Sequence, residues 1–270
     1  ILNRGNLGRL KNFLSRAAQG ERLTVGFIGG SITQGFAATA PDKCYAARTV
    51  AWLRKVFPNT EFDYVNAGIG ATDSQFGAAR VQEDLLQRLP DLVMVEFSVN
   101  DHCTPHDMET YEGLIRQIYG SRSCPAMVLL HSVYYDTGKS AAYYHAQIGR
   151  HYDLPCISMQ NSIYPAVAEG KLPAEKITAD FLHPNDLGHE FMASVITNFL
   201  EKVIHDKTEE QQEIFPASLT ENAYEHCARL QYFNSTPEKS GFEEDMTPQR
   251  GITDIFRNGW SAGEKGAYLE

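Results

Sequence analysis

V-G-F-I-G-G-S-I-T-Q-G, residues 25–35, is where a short apolar run stops on paired glycines and a serine. Leu23, Val25, Phe27 and Ile28 have the character of a strand covered on both faces. Ser31 then stands at the carboxyl end of that strand. Ligands of open α/β sheets gather outside the carboxyl ends of the strands, and Gly29 and Gly30 allow a sharp turn beneath a side chain. This makes Ser31 a candidate nucleophile. The stretch is not a phosphate loop, because no lysine completes G-x-x-x-x-G-K-[ST], and Gly26, Gly29 and Gly30 do not form G-x-G-x-x-G. Nor is it the elbow G-x-S-x-G, since Thr33 stands where the second glycine belongs. Taken alone, G-G-S reads first as a helix cap. What separates it from a cap lies downstream.

The chain alternates strand and helix around this point. Leu7, Leu10, Leu14 and Ala17 recur at helical spacing, which predicts a helix over 6–18 ended by Gly20. Further helices are predicted over 44–56, 74–88 (with Val81, Leu85 and Leu89 facing inward), 108–119, 141–152, 161–169 and 186–204. The last is capped by Asn185 or Asp186. Between them lie strands over 62–65, 92–97, 127–131 and 156–159, five with the first. Helical crossovers of this length imply a parallel sheet with helices on both faces, a three-layer α/β/α sandwich.

With 270 residues, 43% of them hydrophobic, the chain can bury a large α/β domain and carry an appendage. The net charge of −10 carries no compensating basic block, which argues against nucleic acid or an anionic membrane as partner. No run approaches 18 apolar residues and the first ten residues do not form a secretory signal, so a cytoplasmic location is expected. Five scattered cysteines without C-x-x-C spacing read as reduced thiols. After Asp206 the sequence becomes charged and proline-stopped. A main α/β domain over 1–206 is therefore expected, followed over 207–270 by a linker and a β-rich extension. In that extension, 252–270 reads as a hairpin containing Phe256, Trp260 and Tyr268, with turn signals at Asn258-Gly259 and Gly263 to Gly266. Its unpaired edge would dock on the main domain or join a second chain in a homodimer.

Ser31, Gly68, Asn100 and the pair Asp180/His183 each fall at a strand end or in the last loop. Together they supply a nucleophile, a base, a carboxylate that orients the base, and donors for an oxyanion. Asp180 and His183, three apart and followed by Pro184, fit one tight turn. The donors would be the N–H groups of Ser31 and Gly68 and the side-chain amide of Asn100. Asp101 reads as an acceptor for loop amides. His102, Cys103 and His106 lack a third anchored ligand at tight spacing, so no metal is expected. His189 reads as a packing residue, and His131 as core or site wall. Gln75, His102, Tyr134 and Tyr135 are candidate substrate-binding residues at the rim.

Four ordered blocks, G-G-S-I-T-Q-G, N-A-G-I-G-A-T, V-N-D and D-F-L-H-P, resemble the SGNH or GDSL hydrolases over residues 22–205. The resemblance implies a flavodoxin-like sheet in order 2-1-3-4-5, a serine esterase mechanism and no cofactor. Gly30 stands where that family usually has Asp, and Ser98 where G-x-N-D has Gly. The polar, aromatic rim suits sugar hydroxyls better than a long acyl chain. The β-rich tail adds a resemblance to bacterial esterases that deacetylate plant polysaccharides, so acetylated oligosaccharide is the expected substrate. The alternatives are a lipase, lysophospholipase or thioesterase with the same residues, and a sugar-binding module without catalysis.

Overall fold

In the computed structural model, which describes residues 1–231, 234–236, 238–248, 257–262 and 268–269, the five apolar runs form one parallel sheet. Its strands are β1 (Leu23–Gly29), β2 (Phe62–Gly68), β3 (Leu92–Glu96), β4 (Ala126–His131) and β5 (Cys156–Ser158), in the order β2-β1-β3-β4-β5. Every residue of β3 and β4 is buried, as a sheet covered on both faces requires. Gly29 pairs with Gly68 on one side and Glu96 on the other, so β2, β1 and β3 end level. The loops that follow them therefore open on one rim.

Crossover helices supply the outer layers. Helices α1 (Gly8–Ala18), α3 (Tyr45–Val56) and α8 (Asp186–His205) pack together; α4 (Ser74–Asp84), α5 (Pro105–Tyr119) and α6 (Ala142–His151) form the second group. The short α2 (Ser31–Gln34) and α7 (Tyr164–Ala168) lie in loops. Helix α5 starts three residues before its hydrophobic period. Thr104 caps it, accepting from Asp107 N–H (3.3 Å) while its own N–H donates to Asp107 Oδ2 (2.9 Å). Helix α4 stops at Asp84 and gives way to a 3₁₀ turn over Leu86–Arg88. The change of period swings Leu89 out, 48% exposed at φ 50°, where sequence spacing had placed it inward.

Two compact units divide the chain, Ile1–Cys227 and Ala228–Glu270. Residues 207–227, linker-like in composition, run as an irregular strap over α1 and α5. Glu210 takes Arg4 (2.5 Å) and Lys11 (2.8 Å), Glu213 takes Arg9 (2.5 Å), and Phe215 stacks on Tyr119 at 4.9 Å. Buried Glu112 accepts the N–H groups of Leu219 (2.6 Å) and Thr220 (2.7 Å). The first unit therefore extends past Asp206, because the strap's charges and backbone amides find partners on the helices.

In the second unit, β6 (Lys239–Ser240) pairs antiparallel with β9 (Tyr268–Leu269), and β7 (Phe242–Pro248) with β8 (Arg257–Ala262). Asn258 and Gly259 lie inside β8 and not at a turn. The partner of β8 is 242–248, which the sequence had not marked as a strand. Phe256 and the glycines at 263 and 266 lie outside the described residues.

Candidate active site

Ser31 is the first residue of α2, and its N–H, like every first helical amide, has no intrahelical partner. Its Oγ lies 2.8 Å from His183 Nε2, and His183 Nδ1 lies 2.6 Å from Asp180 Oδ2. The D-F-L-H turn closes on its own carboxylate: Asp180 Oδ1 accepts the N–H groups of Leu182 (3.0 Å) and His183 (2.8 Å). Burial pushes the Asp180 carboxyl up, but the bonds from the His183 ring and from these two amides outweigh it and hold it well below the usual carboxylate range. An ionised Asp180 fixes the proton on Nδ1 and leaves Nε2 to accept from Ser31. Asn185 then starts α8, accepting from Leu187 and Gly188 N–H at 3.1 Å each.

Two exposed phenylalanines belong to this region, Phe36 against the His183 ring and Phe181 within the turn. Phe36 is 56% exposed with its ring 4.6 Å from that of His183, and Phe181 is 47% exposed at φ 61°. A left-handed phenylalanine is strained, and such strain persists where surrounding contacts enforce it. Here the Phe181 carbonyl accepts Tyr135 N–H at 2.7 Å. Buried His189 accepts from Tyr45 N–H at Nδ1 (3.3 Å) and so presents Nε2–H to the Phe36 carbonyl (3.4 Å). Burial lowers its pKa to about 4, so it packs as a neutral ring behind Phe36.

Asn100 reaches the site from the turn after β3. The N–H groups of Asn100 and Asp101 both donate to Phe97 O (3.0 Å), and Ser98 O accepts from Ala141 N–H (2.7 Å). Ser98, in place of glycine, donates its hydroxyl to Glu96 Oε1 at 2.8 Å. That carboxyl is fully buried and its pKa is raised by burial. Asp101 is an acceptor, as its loop position implied. It takes Ser74 N–H (2.9 Å) and also meets His145 Nε2 (2.8 Å), a fully buried ring stacked on Tyr111 at 3.6 Å.

The glycines after β2 divide differently from the sequence expectation. Gly68 N–H already donates to Asn66 Oδ1 at 2.9 Å, and a Cβ there would run into the backbone of Thr33 and Gln34. Gly70 is the glycine that faces the serine: a Cβ on it would come within 3.7 Å of Ser31 Cβ. Its N–H donates to Gln34 Oε1 at 2.7 Å.

Of the rim residues, His102 and Tyr134 line a cleft of about 730 Å³ beside Asn100. Tyr135 is only 5% exposed and is not among its lining residues. Gln75 lies apart and meets His106 Nε2 at 3.0 Å. His131 is fully buried with neither ring nitrogen partnered among the described residues, and burial lowers its pKa to about 3. No group of three or more His, Cys, Asp or Glu able to hold a metal occurs among the described residues, and all five cysteines are free thiols. Phe36, His145 and Gly70 escaped the sequence reading. Gly70 alone left a signal, inside N-A-G-I-G-A-T.

The pattern of the GDSL-like lipase/acylhydrolase family matches residues 27–191. A two-domain esterase active on acetylated mannans, solved with mannopentaose, is 50% identical with a TM-score of 0.90, over 98% of this chain and 71% of its own. A second structure of such an esterase, also 50% identical, has a TM-score of 0.92 over 98% of this chain and 72% of its own. An acetylxylan esterase from Geobacillus stearothermophilus, 20% identical, shares the fold alone, with a TM-score of 0.54 over 66% of this chain and 94% of its own. No curated protein matches. The matched segment runs from the end of β1 through β5 and contains Ser31, Asn100 and the Asp180/His183 turn, and the chain belongs to the GDSL-like lipase/acylhydrolase family.

Proposed function

We propose that the protein is a serine esterase that removes acetyl groups from mannan-type oligosaccharides, with Ser31 as nucleophile, His183 as base and Asp180 as the residue that orients the base. The observation that carries this reading is the unbroken chain from Ser31 Oγ to His183 Nε2 (2.8 Å) and from His183 Nδ1 to Asp180 (2.6 Å). As Ser31 Oγ attacks the acetyl carbonyl, its proton passes to His183 Nε2, and Asp180 stabilises the imidazolium that results. The oxyanion is met by Ser31 N–H, the Asn100 side-chain amide and, at the end of β2, Gly70 N–H. We favour Gly70 over Gly68 because Gly70 lies against Ser31 whereas Gly68 lies against the backbone of Thr33 and Gln34. For Gly70 to donate to the oxyanion, its N–H exchanges Gln34 Oε1 for the substrate oxygen. His183 then protonates the departing sugar hydroxyl. Water, deprotonated by the same ring, releases acetate from Ser31.

The 50%-identical esterase active on acetylated mannans supports mannan as the substrate class, and the exposed ring of Phe36 against His183 suits a sugar. The test is acetate release from acetylated mannan, xylan and cello-oligosaccharides, with a long-chain ester as control. Release should be greatest from mannan and slight from the long-chain ester. Turnover that rises with acyl length would make the protein a lipase or thioesterase using the same residues.

A further inference from the structure

The cleft beside Asn100 is bounded by residues 98–103, the loop 134–141 and Gln160. The loop is held in one shape before any ligand arrives. Tyr134 N–H donates to Lys139 O (3.0 Å) and Gly138 N–H to Tyr134 O (2.8 Å), while Gln160 Nε2 holds Gly138 O (2.7 Å). Gly138 takes the left-handed conformation this turn needs, at φ 69°, and Tyr134 O–H donates back to Val99 O (3.3 Å). Two charged side chains ride on this rigid turn, Asp136 and Lys139. Both are exposed, both line the cleft, and among the described residues neither side chain has a hydrogen bond or an ion pair.

Charged groups on a preorganised wall suit a ligand rich in hydroxyls, which donate to a carboxylate and accept from an ammonium. A fatty acyl chain entering the same space would strip water from both charges without replacing it. A uronic acid would gain from Lys139 and be repelled by Asp136, whereas a neutral sugar satisfies both. The cleft also adjoins the chemistry: Asn100 lines it, and the loop is tied through Tyr135 N–H to Phe181 O in the Asp180/His183 turn.

We infer that this cleft is a glycan subsite. It holds a neutral sugar unit next to the one that carries the ester, with Asp136 accepting from and Lys139 donating to its hydroxyls. The inference rests on the carbohydrate reading above and adds to it two residues that set substrate choice. The volume of about 730 Å³ is that of a small-molecule site.

The experiment compares wild type, Asp136→Ala and Lys139→Ala on an acetylated manno-oligosaccharide and on 4-nitrophenyl acetate, with calorimetric titration of mannopentaose into each protein. Thermal midpoints confirm that the variants are folded. Hydrogen bonds to charged groups are each worth roughly 1.5–3 kcal/mol, so each truncation should raise KM for the oligosaccharide by about tenfold or more. The loss should exceed that on the small ester severalfold, with mannopentaose affinity falling in parallel. The subsite is refuted if both substrates change by the same factor, or if mannopentaose binds the variants as tightly as wild type. If the wild type instead hydrolyses long-chain esters, releases no acetate from the oligosaccharide and binds no mannopentaose, the carbohydrate reading fails and the subsite with it. Wild-type deacetylation unaffected by either substitution removes the subsite alone.

Discussion

The side-chain oxygen of Asn100 fills the space that a β-carbon on Gly30 would need. Gly30 has φ −85°, a value open to any residue, so its lack of a side chain serves this close approach and not an unusual backbone. The Asp common at this position in the family would collide with Asn100 as it stands here. Gly30→Ala should therefore displace the Asn100 amide and lower kcat by about 10²- to 10³-fold, the cost of one oxyanion donor, with little change in KM. Steady-state kinetics decide it. A loss of only a few fold would mean that Asn100 is not a donor.

Ser31→Ala should abolish esterase activity and leave the melting temperature close to that of wild type. The hydroxyl is small and its bond to His183 contributes to a site, not to the core. Retention of most of the activity would remove Ser31 from the mechanism.

The pH dependence follows from the sign of the Asp180 shift. Its folded pKa is depressed, so the carboxylate is ionised above its usual range and stays so well into acid. Asp180 thus stays ionised where the rate falls, so kcat/KM should fall toward acid with the slope of a single proton, the one that stops His183 Nε2 from accepting the Ser31 proton. Asp180→Asn should lower kcat, because it removes the charge that stabilises the imidazolium and sets an NH2 group against either His183 Nδ1–H or the Leu182 and His183 amides. A slope of two protons in wild type would show that Asp180 titrates too.

His145 supports Asn100 from behind, through Asp101. His145→Gln should unstack the Tyr111 contact and loosen the turn that carries Asn100, with kcat falling more than KM rises. Stability should drop by roughly 1–3 kcal/mol, since buried Asp101 loses a partner. Chemical denaturation alongside kinetics separates the two effects. Unchanged kcat with lowered stability would make the pair structural only.

The strap makes a prediction about truncation. A chain ending at Cys227 should fold and cleave a small acetyl ester, whereas one ending at Asp206 should melt at lower temperature, having stripped α5 of its cover and left Glu112 without the Leu219 and Thr220 amides. Burial pushes the Glu112 carboxyl up, but the bonds from Leu219, Thr220 and Tyr152 outweigh it and hold its pKa below the ordinary value. Its contribution to stability is thus present above the unfolded value of about 4.3 and is lost as pH falls below it. Hydrogen exchange in residues 207–227 should accelerate in acid. Equal stability of the two truncated chains would show that the strap adds nothing.

Much of this molecule is legible from local pattern. Apolar runs such as 92–96, bounded by turn residues, can only be strands covered on both faces, and the helices between them force a parallel sheet whose loops share a rim. Ser31, Asn100 and the Asp180/His183 turn follow, because each sits at a strand end or within a few residues of its partner. Leu89 and Gly68 departed from expectation where a helix changed period and where a side chain 2 residues away, Asn66, took the N–H first. His145 lies 44 residues from Asp101, Phe36 lies 147 from His183, and Glu112 lies over 100 from the strap amides it holds. No spacing rule links such pairs. The sequence by itself determined which elements form and which residues stand at their ends, since those depend on hydrophobic period and turn chemistry within a few residues. Only the tertiary structure decided which glycine faces the serine, what braces Asn100 and where the domain stops, because these are contacts between segments far apart in the chain, selected by packing and by the cost of leaving buried polar groups without partners.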